Sequence, residues 1–520
     1  MGADGFGGHD LAIAYRPVGD LLADYAARHP RKAAIVDLDQ DVTIDYGDLL
    51  AAVTDIAVHL KQRGIGHGSR VVVLADEVLE KLLIWLALWR IGAVVAPLNI
   101  ELNARHIVDL TRMCRPALVL AHDKLELPDE DFGAPLVRFG RWDDVAGSDF
   151  FAGVARNISA ATLRESNAPQ DLSCLFCTSG TTGTPKIVAY DHAAYWLNGL
   201  DTIDMLELTG QDRTLEYRSF GWNSAQILSL MPMLQTGLTL HMARRFSQSR
   251  FFDWIRNHQI SFAVGVPTVI NILLTNEQGI RAQDVPSLTR MTCSTAPLSA
   301  EQWQRFEAMY GLNLLQLYGM SEAGWICGNT MRDRRVGTVG RPAIHQEFRV
   351  VDAAGVQCPP GVEGEVTIGG PQVAVGYQEA DGTISPIRGN RIKTGDLAVV
   401  DDEGFVRVTG RTKDLIIRGG VNIAPVEIDA VLLAIEGVQE AAAVGVPDPI
   451  YGEEVVAYVV AVQGNPLSAE MVMAACREQL PAAKVPKQVF FVDKLVRNDR
   501  GKVIRDELRS DWLGRKAASA

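Results

Sequence analysis

The stretch Thr178-Ser179-Gly180-Thr181-Thr182-Gly183-Thr184-Pro185-Lys186 decides the fold of this chain. It brings together five hydroxyl side chains, two glycines and a lysine within nine residues. Glycines let backbone N–H groups approach an anion, hydroxyls add donors, and lysine adds a compact positive charge. The apolar run from Leu172 to Cys177 before it predicts a strand, and α/β sheets bind ligands at strand ends. The pattern therefore predicts a phosphate-binding loop, against the alternative of a mobile Ser/Thr/Gly linker.

This stretch differs from the common nucleotide-binding loop, whose pattern is G-x-x-x-x-G-K-[ST]. Gly180 is followed five residues later by Pro185, and Lys186 is followed by Ile187. The sequence therefore disfavours the γ-phosphoryl chemistry of kinases and GTPases.

On the N-terminal side of the loop, helical and strand patterns alternate. Leu49 to Arg63 has apolar residues at helical spacing, and Arg70 to Leu74 is a short valine-rich strand. The apolar run from Leu82 to Ile100 is interrupted by a charged residue and a glycine, so it predicts a buried helix followed by a strand rather than a membrane span. Beyond the loop, a strand, a helix and a strand are predicted at Ser261–Val266, Pro267–Asn276 and Leu288–Ser294. Such alternation predicts mostly parallel sheets with helices on their faces.

After Gly337 the pattern changes to short strands separated by Gly, Pro and Asp, at Phe348–Val351, Glu365–Ile368 and Phe405–Val408. These strands predict a small β-rich subdomain. From Arg411 onward, helices and strands alternate again over about 100 residues, which is the size of a separate domain; its first elements are predicted at Leu415–Arg418, Pro425–Glu436 and Ala441–Val446.

The predicted fold class is therefore α/β. We expect a large N-terminal domain, residues 1–412, built from two doubly wound α/β subdomains and the small β-rich subdomain. A small, mobile α+β C-terminal domain, residues 413–520, is expected to follow it.

Composition narrows the function further. The chain has 520 residues and a net charge of −13, which argues against a nucleic-acid surface and against docking on anionic lipid. Its seven cysteines are scattered, and the Cys174-x-x-Cys177 pair falls in a predicted strand, which favours buried thiols over a redox or metal site. The N-terminus shows no signal pattern. We expect a soluble cytoplasmic protein without a membrane span, and the sequence leaves room for a homodimer.

The hydroxyl-rich loop resembles the signature of the adenylate-forming superfamily, which includes acyl-CoA synthetases, aryl-CoA ligases, luciferases and peptide-synthetase adenylation domains. The resemblance implies that the loop, from Thr178 to Thr184 together with Lys186, holds the β- and γ-phosphates of ATP while the α-phosphate is attacked. The other motifs of the superfamily follow in the same order along nearly the whole chain.

The segment Gln316-Leu317-Tyr318-Gly319-Met320-Ser321-Glu322 is the second informative cluster. An aromatic ring can stack on a purine, a hydroxyl can donate to phosphate, and a carboxylate is a hard ligand for Mg²⁺. Taken alone, the segment also fits a strand, a glycine turn and a helix cap. Its resemblance to the family motif Tyr-Gly-x-Thr-Glu implies that Tyr318 packs on adenine, Gly319 lies at the nucleotide, Ser321 contacts phosphate and Glu322 binds Mg²⁺.

The segment Ser294-Thr295-Ala296-Pro297-Leu298 resembles the adenine segment of the family, which places Thr295, Ala296 and Pro297 at the nucleotide. Relatives usually have glycine or alanine where Thr295 stands. This threonine either narrows the neighbouring acyl pocket or merely packs in a turn, and the sequence leaves both readings open.

Two further motifs resemble the ribose site of the family. Asp396 in Thr394-Gly395-Asp396-Leu397 is placed to accept hydrogen bonds from two vicinal hydroxyls, and Arg411 is the second ribose contact. Lys413 falls at the family's hinge between the two domains.

The C-terminal part contains the last two motifs. The resemblance assigns Arg418, Gly419 and Gly420 to the tunnel through which CoA enters. Lys502 matches the family's adenylation lysine, a flexible cation that stabilises charge developing in the transition state; taken alone, it would be a solvated lysine. The catalytic residues implied are thus Lys502, Lys186 and Glu322.

The acyl pocket is predicted from the segment Tyr217 to Gln226 and its neighbours, with Trp222, Asn223, Gln226, Gly265, Thr295 and Met320 as its residues. No acidic residue lies between Ser219 and Leu228, which argues against an α-amino acid substrate because amino-acid-activating relatives use an Asp there. The polar side chains Asn223, Ser224 and Gln226 indicate an acid with a hydroxyl, amide or second polar group, or they cap a helix or face solvent.

The resemblance therefore implies an ATP-dependent carboxylic acid–CoA ligase, with ATP, Mg²⁺ and CoA as its small-molecule partners. An alternative is a stand-alone adenylating enzyme that loads a carrier protein's phosphopantetheine. A non-catalytic nucleotide-binding regulator is a third hypothesis, disfavoured because Lys186, Glu322, Asp396 and Lys502 are all retained. The acid itself is not specified by the sequence.

Overall fold

The computed structural model describes residues 14–100, 104–144, 150–163, 167–178, 186–276, 278–296, 298–419, 421–462, 464, 467–497 and 502–519. Its α-helices are α1 (Val18–Arg28), α2 (Tyr46–Gln62), α3 (Leu79–Arg90), α4 (Ala104–Cys114), α5 (His192–Leu206), α6 (Asn223–Ala225), α7 (Met231–Thr236), α8 (Gln248–His258), α9 (Pro267–Thr275), α10 (Ala300–Tyr310), α11 (Pro425–Leu433), α12 (Ala469–Gln479) and α13 (Arg505–Ser519).

The strands follow in chain order: β1 (Ala33–Asp37), β2 (Val42–Asp45), β3 (Arg70–Leu74), β4 (Val94–Leu98), β5 (Leu118–His122), β6 (Leu136–Phe139), β7 (Leu172–Thr178), β8 (Lys186–Asp191), β9 (Arg213–Glu216), β10 (Thr239–Met242), β11 (Phe262–Ala263), β12 (Arg290–Cys293), β13 (Asn313–Met320), β14 (Gly324–Gly328), β15 (Arg341–Pro342), β16 (Arg349–Val351), β17 (Gly364–Ile368), β18 (Gly376–Gln378), β19 (Ile384–Pro386), β20 (Ile392–Val400), β21 (Val406–Arg411), β22 (Ile416–Arg418), β23 (Val421–Ile423), β24 (Val438–Asp448), β25 (Gly452–Ala461) and β26 (Gln488–Phe491).

Two large sheets form the N-terminal part. One has the strand order β15-β14-β13-β12-β11-β9-β10-β1-β2 and the other β19-β18-β8-β7-β4-β3-β5-β6. Their central strands pair in parallel, for example β12 with β13 and β3 with β4. Parallel strands need crossover connections, and the helices between them supply these and cover the faces of the sheets. The predicted doubly wound α/β architecture is confirmed.

The strand after the hydroxyl-rich stretch departs from the usual α/β pattern. β7 and β8 are antiparallel neighbours, with Thr178 paired to Lys186. The residues between them lie outside the described part of the chain. The phosphate-loop stretch therefore joins two adjacent strands, whereas the common nucleotide loop joins a strand to a helix.

The β-rich subdomain is a four-stranded antiparallel sheet in the order β16-β17-β20-β21. It has its own apolar core, which includes Val350, Val366, Ala398 and Val406. In β20 and β21, Asp396 lies directly opposite Arg411. The register of this small sheet therefore places two of the predicted site residues side by side.

The C-terminal sheet contains β23, β22, β25 and β24, with β26 joined to β25 in parallel. Apolar residues cover both of its faces: Ile428 and Leu432 of α11 pack on one, and Leu508 and Trp512 of α13 pack on the other. The α/β fold with a large first part and a small last part is confirmed. The division at residues 412 and 413, and the mobility of the last part, remain predictions.

Several elements match their sequence predictions closely. β3 spans Arg70–Leu74 as predicted, and α3 is buried along its whole length and leads into β4. α2 begins earlier than predicted, at Tyr46, because the Asp45 side chain caps it by accepting from the backbone N–H of Asp48 at 2.8 Å. Within the described residues, the helices lack the combination of length and apolar character that crossing a bilayer requires.

Candidate active site

A cavity of about 620 Å³ lies where the N-terminal sheets, the β-rich subdomain and the C-terminal part meet. Among the described residues, its lining consists of Thr178, Lys186, Trp222, Asn223, Ser224, Ile227, Ser294, Thr295, Gly319, Met320, Ser321, Glu322, Gly324, Trp325, Thr394, Gly395, Asp396, Arg411, Thr412, Lys413, Asp414, Lys502, Val503, Ile504, Arg505 and Asp506. Residues of six separate predicted motifs, together with the predicted acyl-pocket segment, therefore share one cavity.

The predicted phosphate-binding residues enter this cavity from the ends of two neighbouring strands. Thr178 ends β7 and Lys186 begins β8, and both line the cavity. The predicted contacts at Ser179, Gly180, Thr181, Thr182, Gly183 and Thr184 lie outside the described residues. The Lys186 Nζ atom lies 4.6 Å from the ring centroid of Tyr377, a cation–π distance.

Tyr377 is a site residue that the sequence analysis missed. Its hydroxyl donates to Glu322 Oε1 at 2.9 Å, while its ring lies beneath Lys186. Burial and the neighbouring Glu322 carboxylate raise the pKa of Tyr377, which keeps the hydroxyl protonated as a donor. Tyr377 lies on β18, which pairs with β8. No motif marks it, because its position depends on strand pairing.

The predicted ribose residues, Asp396 and Arg411, form one hydrogen-bonded group with Tyr318, which was predicted to pack on adenine and does not line the cavity. Asp396 is buried and accepts from Arg411 Nε at 2.8 Å and from the Tyr318 hydroxyl at 2.6 Å. Burial, together with the Asp396 carboxylate, raises the pKa of Tyr318 well above its ordinary value, so this phenol donates. Gly395 has φ +74°, a conformation that glycine adopts without strain. Gly395 lies within β20, and both Gly395 and Asp396 line the cavity.

The C-terminal part supplies several charged residues to the same cavity. Lys413, in the short 3₁₀ turn Thr412–Asp414, and Lys502 both line it. Arg505, at the start of α13, also lines it and forms an ion pair with Asp429 of α11. The predicted adenylation lysine thus faces the cavity alongside the ribose and phosphate motifs.

Asp429 gives a test of this C-terminal packing. Burial raises the pKa of Asp429 to about 6, an effect that Arg505 and the backbone N–H of Ala443 partly offset. The unfolded chain has the ordinary value of about 3.9, so between these pH values only the folded state keeps the proton. The free energy of unfolding should therefore fall as pH rises from 4 to 6, by at most about 3 kcal/mol.

In Asp429→Asn this part of the pH dependence should disappear. The stability of the wild type relative to the variant, measured by denaturant unfolding, should be lower at pH 7 than at pH 4.5. Glu507→Gln, which removes an exposed carboxylate of α13, the helix that contains the Asp429 partner Arg505, should keep the wild-type dependence. A constant difference between wild type and Asp429→Asn at both pH values would contradict this assignment.

One part of the lining has no charged side chain, and we call it the uncharged wall. It consists of Trp222, Asn223, Ser224, Ile227, Ser294, Thr295, Met320, Gly324 and Trp325. Four of the predicted acyl-pocket residues, Trp222, Asn223, Thr295 and Met320, belong to it. Ser294 and Trp325 were not predicted as pocket residues, although Ser294 begins the adenine segment Ser294–Leu298 and Trp325 lies three residues after Glu322.

The other two predicted acyl-pocket residues lie elsewhere. Gln226 is fully buried, accepts a hydrogen bond from the Tyr195 hydroxyl and donates to the carbonyl of Phe220 at 2.7 Å. Gly265 packs against β12, where a Cβ atom would lie 2.3 Å from the Thr292 carbonyl oxygen. Neither residue lines the cavity. The Gln226 amide forms its hydrogen bonds within the core, and Gly265 allows its backbone to pack closely against β12.

The remaining predicted nucleotide and CoA residues are distributed as follows. Gly319 and Ser321 line the cavity, whereas Ala296 is exposed outside it and Pro297 lies outside the described residues. Arg418 forms an ion pair with Glu454 at 2.6 Å and stacks over the Tyr451 ring. Gly419 adjoins Tyr451 as well. Arg418 and Gly419 do not line the cavity, and Gly420 lies outside the described residues.

Thr295 adopts an unusual backbone conformation for a β-branched residue, with φ +77°. This region costs a residue with a Cβ atom about 1–2 kcal/mol, and such strain clusters at functional sites. We predict that Thr295→Gly raises the free energy of unfolding by about 0.5–1 kcal/mol, since the extra freedom of unfolded glycine offsets part of the gain. Denaturant unfolding of Thr295→Gly beside Thr295→Ala, which keeps the Cβ atom, checks this. A glycine variant no more stable than the alanine variant would contradict it.

The chain matches known protein families and characterised relatives. Residues 22–378 match the family model described as AMP-binding enzyme, and residues 427–502 match that of the AMP-binding enzyme C-terminal domain. The chain is 30% identical to an indoleacetate–CoA ligase of Aromatoleum aromaticum, over 94% of this chain and 97% of that protein. It is 32% identical to a sulfoacetate–CoA ligase of Cupriavidus necator, over 94% of this chain and 96% of that protein.

A solved structure resembles nearly the whole chain. The crystal structure of ATP-bound MatB from Rhodopseudomonas palustris superposes with a TM-score of 0.83 at 28% identity, covering 95% of this chain and 99% of that one. The similarity therefore extends over both the N-terminal and the C-terminal parts.

Proposed function

The chain belongs to the AMP-binding enzyme family, and on that premise we propose that it is an ATP-dependent carboxylic acid–CoA ligase. In the first half-reaction, the substrate carboxylate attacks the α-phosphorus of Mg·ATP, which forms an acyl-adenylate and releases pyrophosphate. In the second, the CoA thiol attacks the acyl carbon, which forms the thioester and releases AMP with the bridging oxygen.

One observation carries this proposal: Lys186, Glu322, Asp396 and Lys502 come from four distant segments and line the same cavity. Two cations beside two carboxylates suit a nucleotide whose phosphates need positive charge and whose ribose hydroxyls need acceptors. The strand register that sets Asp396 opposite Arg411 supports the ribose assignment.

The phosphate residues have separate proposed tasks. Lys186 and the hydroxyl-rich loop hold the β- and γ-phosphates, and Lys502 stabilises the charge that builds on the α-phosphate and the attacking carboxylate. Tyr377 positions Glu322 through its hydrogen bond. In this proposal, Lys186 binds the phosphates that leave as pyrophosphate, and Lys502 acts at the α-phosphate, where the reaction takes place.

Magnesium is written here as part of the substrate Mg·ATP. A single carboxylate beside phosphate-binding groups is the usual protein share of such a magnesium site. Glu322 fits this role, since it lines the cavity with Thr178 and Lys186 and its Oε1 atom is fixed by Tyr377. Within the described residues, no group of three or more His, Cys, Asp or Glu side chains is placed to hold a metal ion by itself.

CoA is the proposed acyl acceptor, and the relatives named as CoA ligases support this choice over a carrier protein. We propose that the C-terminal domain, residues 413–520, turns about Lys413 between the half-reactions, as domain gating does in other enzymes. The turn would withdraw Lys502 and bring Arg418 and the Gly419–Gly420 segment to the cavity. In the present arrangement Arg418 is held by Glu454.

A screen of pyrophosphate release tests the proposal. The purified protein is incubated with Mg·ATP and a broad panel of carboxylic acids, with and without CoA. We expect at least one acid to release pyrophosphate, and CoA to raise turnover because it removes the bound adenylate. ATP cleavage to ADP, or AMP formation only with a phosphopantetheine carrier protein, would contradict the CoA ligase assignment.

A further inference from the structure

The backbone that carries Glu322 is held by side chains from distant parts of the chain. Residues 321–325, which we call the Glu322 turn, comprise the connection from β13 to β14 and the first two residues of β14. Four of them line the cavity: Ser321, Glu322, Gly324 and Trp325. A group that binds a ligand must be held within about 0.5 Å of its productive position by its supporting contacts. The contacts of this turn therefore bear on the function of Glu322.

Asn198 of α5 makes the contact that lies deepest in the core. Its Oδ1 atom accepts from the backbone N–H of Trp325 at 2.9 Å, and its Nδ2 atom donates to the carbonyls of Ala194 at 2.9 Å and Gln372 at 3.1 Å. Carbonyl oxygens can only accept, which fixes the orientation of the amide. Asn198 is fully buried, and its amide is satisfied because the Glu322 turn lies against it.

The fit between Asn198 and the turn is visible on both sides. Asparagine is a poor helix former, and a buried amide is unfavourable unless its hydrogen bonds are made. An asparagine in the buried interior of α5 therefore needs such a partner. On the other side, Gly324 has φ +68°, and a Cβ atom there would lie 1.9 Å from Asn198 Oδ1. The close approach of helix and turn thus depends on a glycine at this position.

Other contacts hold the carbonyl groups of the same turn. The Trp325 carbonyl accepts from the side-chain amides of Gln372 and, at 3.0 Å, of Gln346. The Glu322 carbonyl accepts from the backbone N–H of Ala374 at 2.9 Å. These groups are donors, whereas Asn198 Oδ1 is an acceptor for an N–H group. The donors therefore cannot take over the contact that Asn198 makes.

The indole of Trp325 is held by the same face of α5. Its Nε1 atom donates to Thr202 Oγ1 at 2.8 Å, and residues four apart, such as Asn198 and Thr202, share one face of a helix. The Thr202 hydroxyl in turn donates to the carbonyl of Ile227 at 2.9 Å, a residue of the uncharged wall. One face of α5 thus fixes both the backbone and the side chain at the end of the Glu322 turn.

We propose that Asn198 is a positioning residue of this enzyme, which holds the Glu322 turn through the backbone of Trp325 so that the Glu322 carboxylate meets the magnesium of Mg·ATP. Asn198 does not line the cavity, so it acts through the backbone and not on the ligand. Tyr377 holds the side chain of Glu322, and Asn198 holds the chain on which that side chain is built. This inference rests on the proposed function and adds to it a residue that no sequence motif marks.

ATP binding without an acid tests this inference, since no turnover then disturbs the equilibrium. The dissociation constant Kd is measured by calorimetry for Mg·ATP and for ATP in EDTA. Asn198→Leu keeps a similar shape but leaves the Trp325 N–H unpaired, so the turn should move. We expect Kd for Mg·ATP to rise about 10-fold and Kd for ATP in EDTA to stay within about twofold of wild type, as for the loss of one buried hydrogen bond at the metal side of the site. An equal rise of both constants, or no rise of either, would overturn the inference.

Asn167→Leu is the matched control for a general loss of stability. Asn167 is also a buried asparagine, and its Nδ2 atom donates to the Tyr15 hydroxyl at 3.1 Å and to the Trp89 carbonyl at 3.2 Å, away from the cavity. This variant should lower the free energy of unfolding as Asn198→Leu does and leave both Kd values unchanged. A similar rise of Kd for Mg·ATP in this control would overturn the positioning role.

Gln372→Met decides the question if Asn198→Leu does not fold. It removes one of the two side-chain donors to the Trp325 carbonyl and leaves Gln346 in place, so Kd for Mg·ATP alone should rise about two- to fivefold. An unchanged Kd for Mg·ATP in this variant would overturn the inference. The binding measurements need no acid, so their result is independent of the screen: pyrophosphate release with none of a broad acid library would instead refute the proposed function.

Discussion

Replacement of Lys502 by alanine is expected to slow acid-dependent exchange of pyrophosphate into ATP by about 100- to 1000-fold, the usual effect of removing one group that stabilises transition-state charge. Lys502 lines the cavity beside Arg411 and Lys413, where a flexible cation can reach the α-phosphate. The thioester-forming half-reaction, measured with synthetic acyl-adenylate and CoA, should remain within a fewfold of wild type because no phosphate is displaced by a carboxylate in that step.

Lys494→Ala is the matched control for this experiment. Lys494 is an exposed lysine of the same C-terminal part and does not line the cavity, so both half-reactions should keep their wild-type rates. Equal losses of both half-reactions in Lys502→Ala would show that Lys502 does not serve the first one alone.

Glu322→Gln should have the second large effect. The variant keeps the size of the side chain and removes the charge that we assign to the magnesium of Mg·ATP. A charge-assisted contact contributes about 1.5–3 kcal/mol, which corresponds to about 10- to 100-fold. The Mg²⁺ concentration that gives half-maximal pyrophosphate release should rise by that factor, measured at fixed ATP.

Tyr377→Phe separates the charge of Glu322 from its positioning. This variant removes the hydroxyl that donates to Glu322 Oε1 and keeps the ring beneath Lys186, so the Mg²⁺ requirement should rise only a fewfold. An unchanged Mg²⁺ dependence in Glu322→Gln would contradict the assignment of Glu322 to the metal.

The motifs predict those site residues whose place follows from local chain geometry. Asp396 follows a glycine with positive φ and lies opposite Arg411 in the adjoining strand, so a short sequence pattern is sufficient to fix the pair. Lys186 begins the strand that pairs with β7, which ties it to Thr178 in the same way. Such residues can be predicted from a single sequence because their positions depend on neighbouring residues and adjacent strands rather than on distant segments.

Residues placed by long-range pairing were not predictable in this way. Tyr377 contacts Glu322 and Lys186 because β18 pairs with β8 in the sheet. These two strands are almost two hundred residues apart in the sequence. The residues around Tyr377 in the sequence belong to none of the motifs described above. Such a residue is found only once the order of the strands in the sheet is known.

Of the two polar residues predicted for the acyl pocket, Asn223 lines the cavity and Gln226 does not, for a different reason. Asn223 and Gln226 are both polar and lie three residues apart, but the helix changes from α6 to a π-helical turn at Gln226–Leu230. A π-helical turn alters which side chains share a face, and Gln226 points into the core, where Tyr195 and Phe220 satisfy its amide. Regular helical periodicity cannot anticipate that change.

The most direct measurement of the central claim follows the carboxylate oxygen of the substrate. An acid identified in the screen is labelled with ¹⁸O in its carboxylate and incubated with the enzyme, Mg·ATP and CoA, and the AMP is analysed by mass spectrometry. Attack of the carboxylate on the α-phosphorus places one labelled oxygen in AMP, and our account predicts that label. Unlabelled AMP, or ADP as the product, would contradict the formation of an acyl-adenylate.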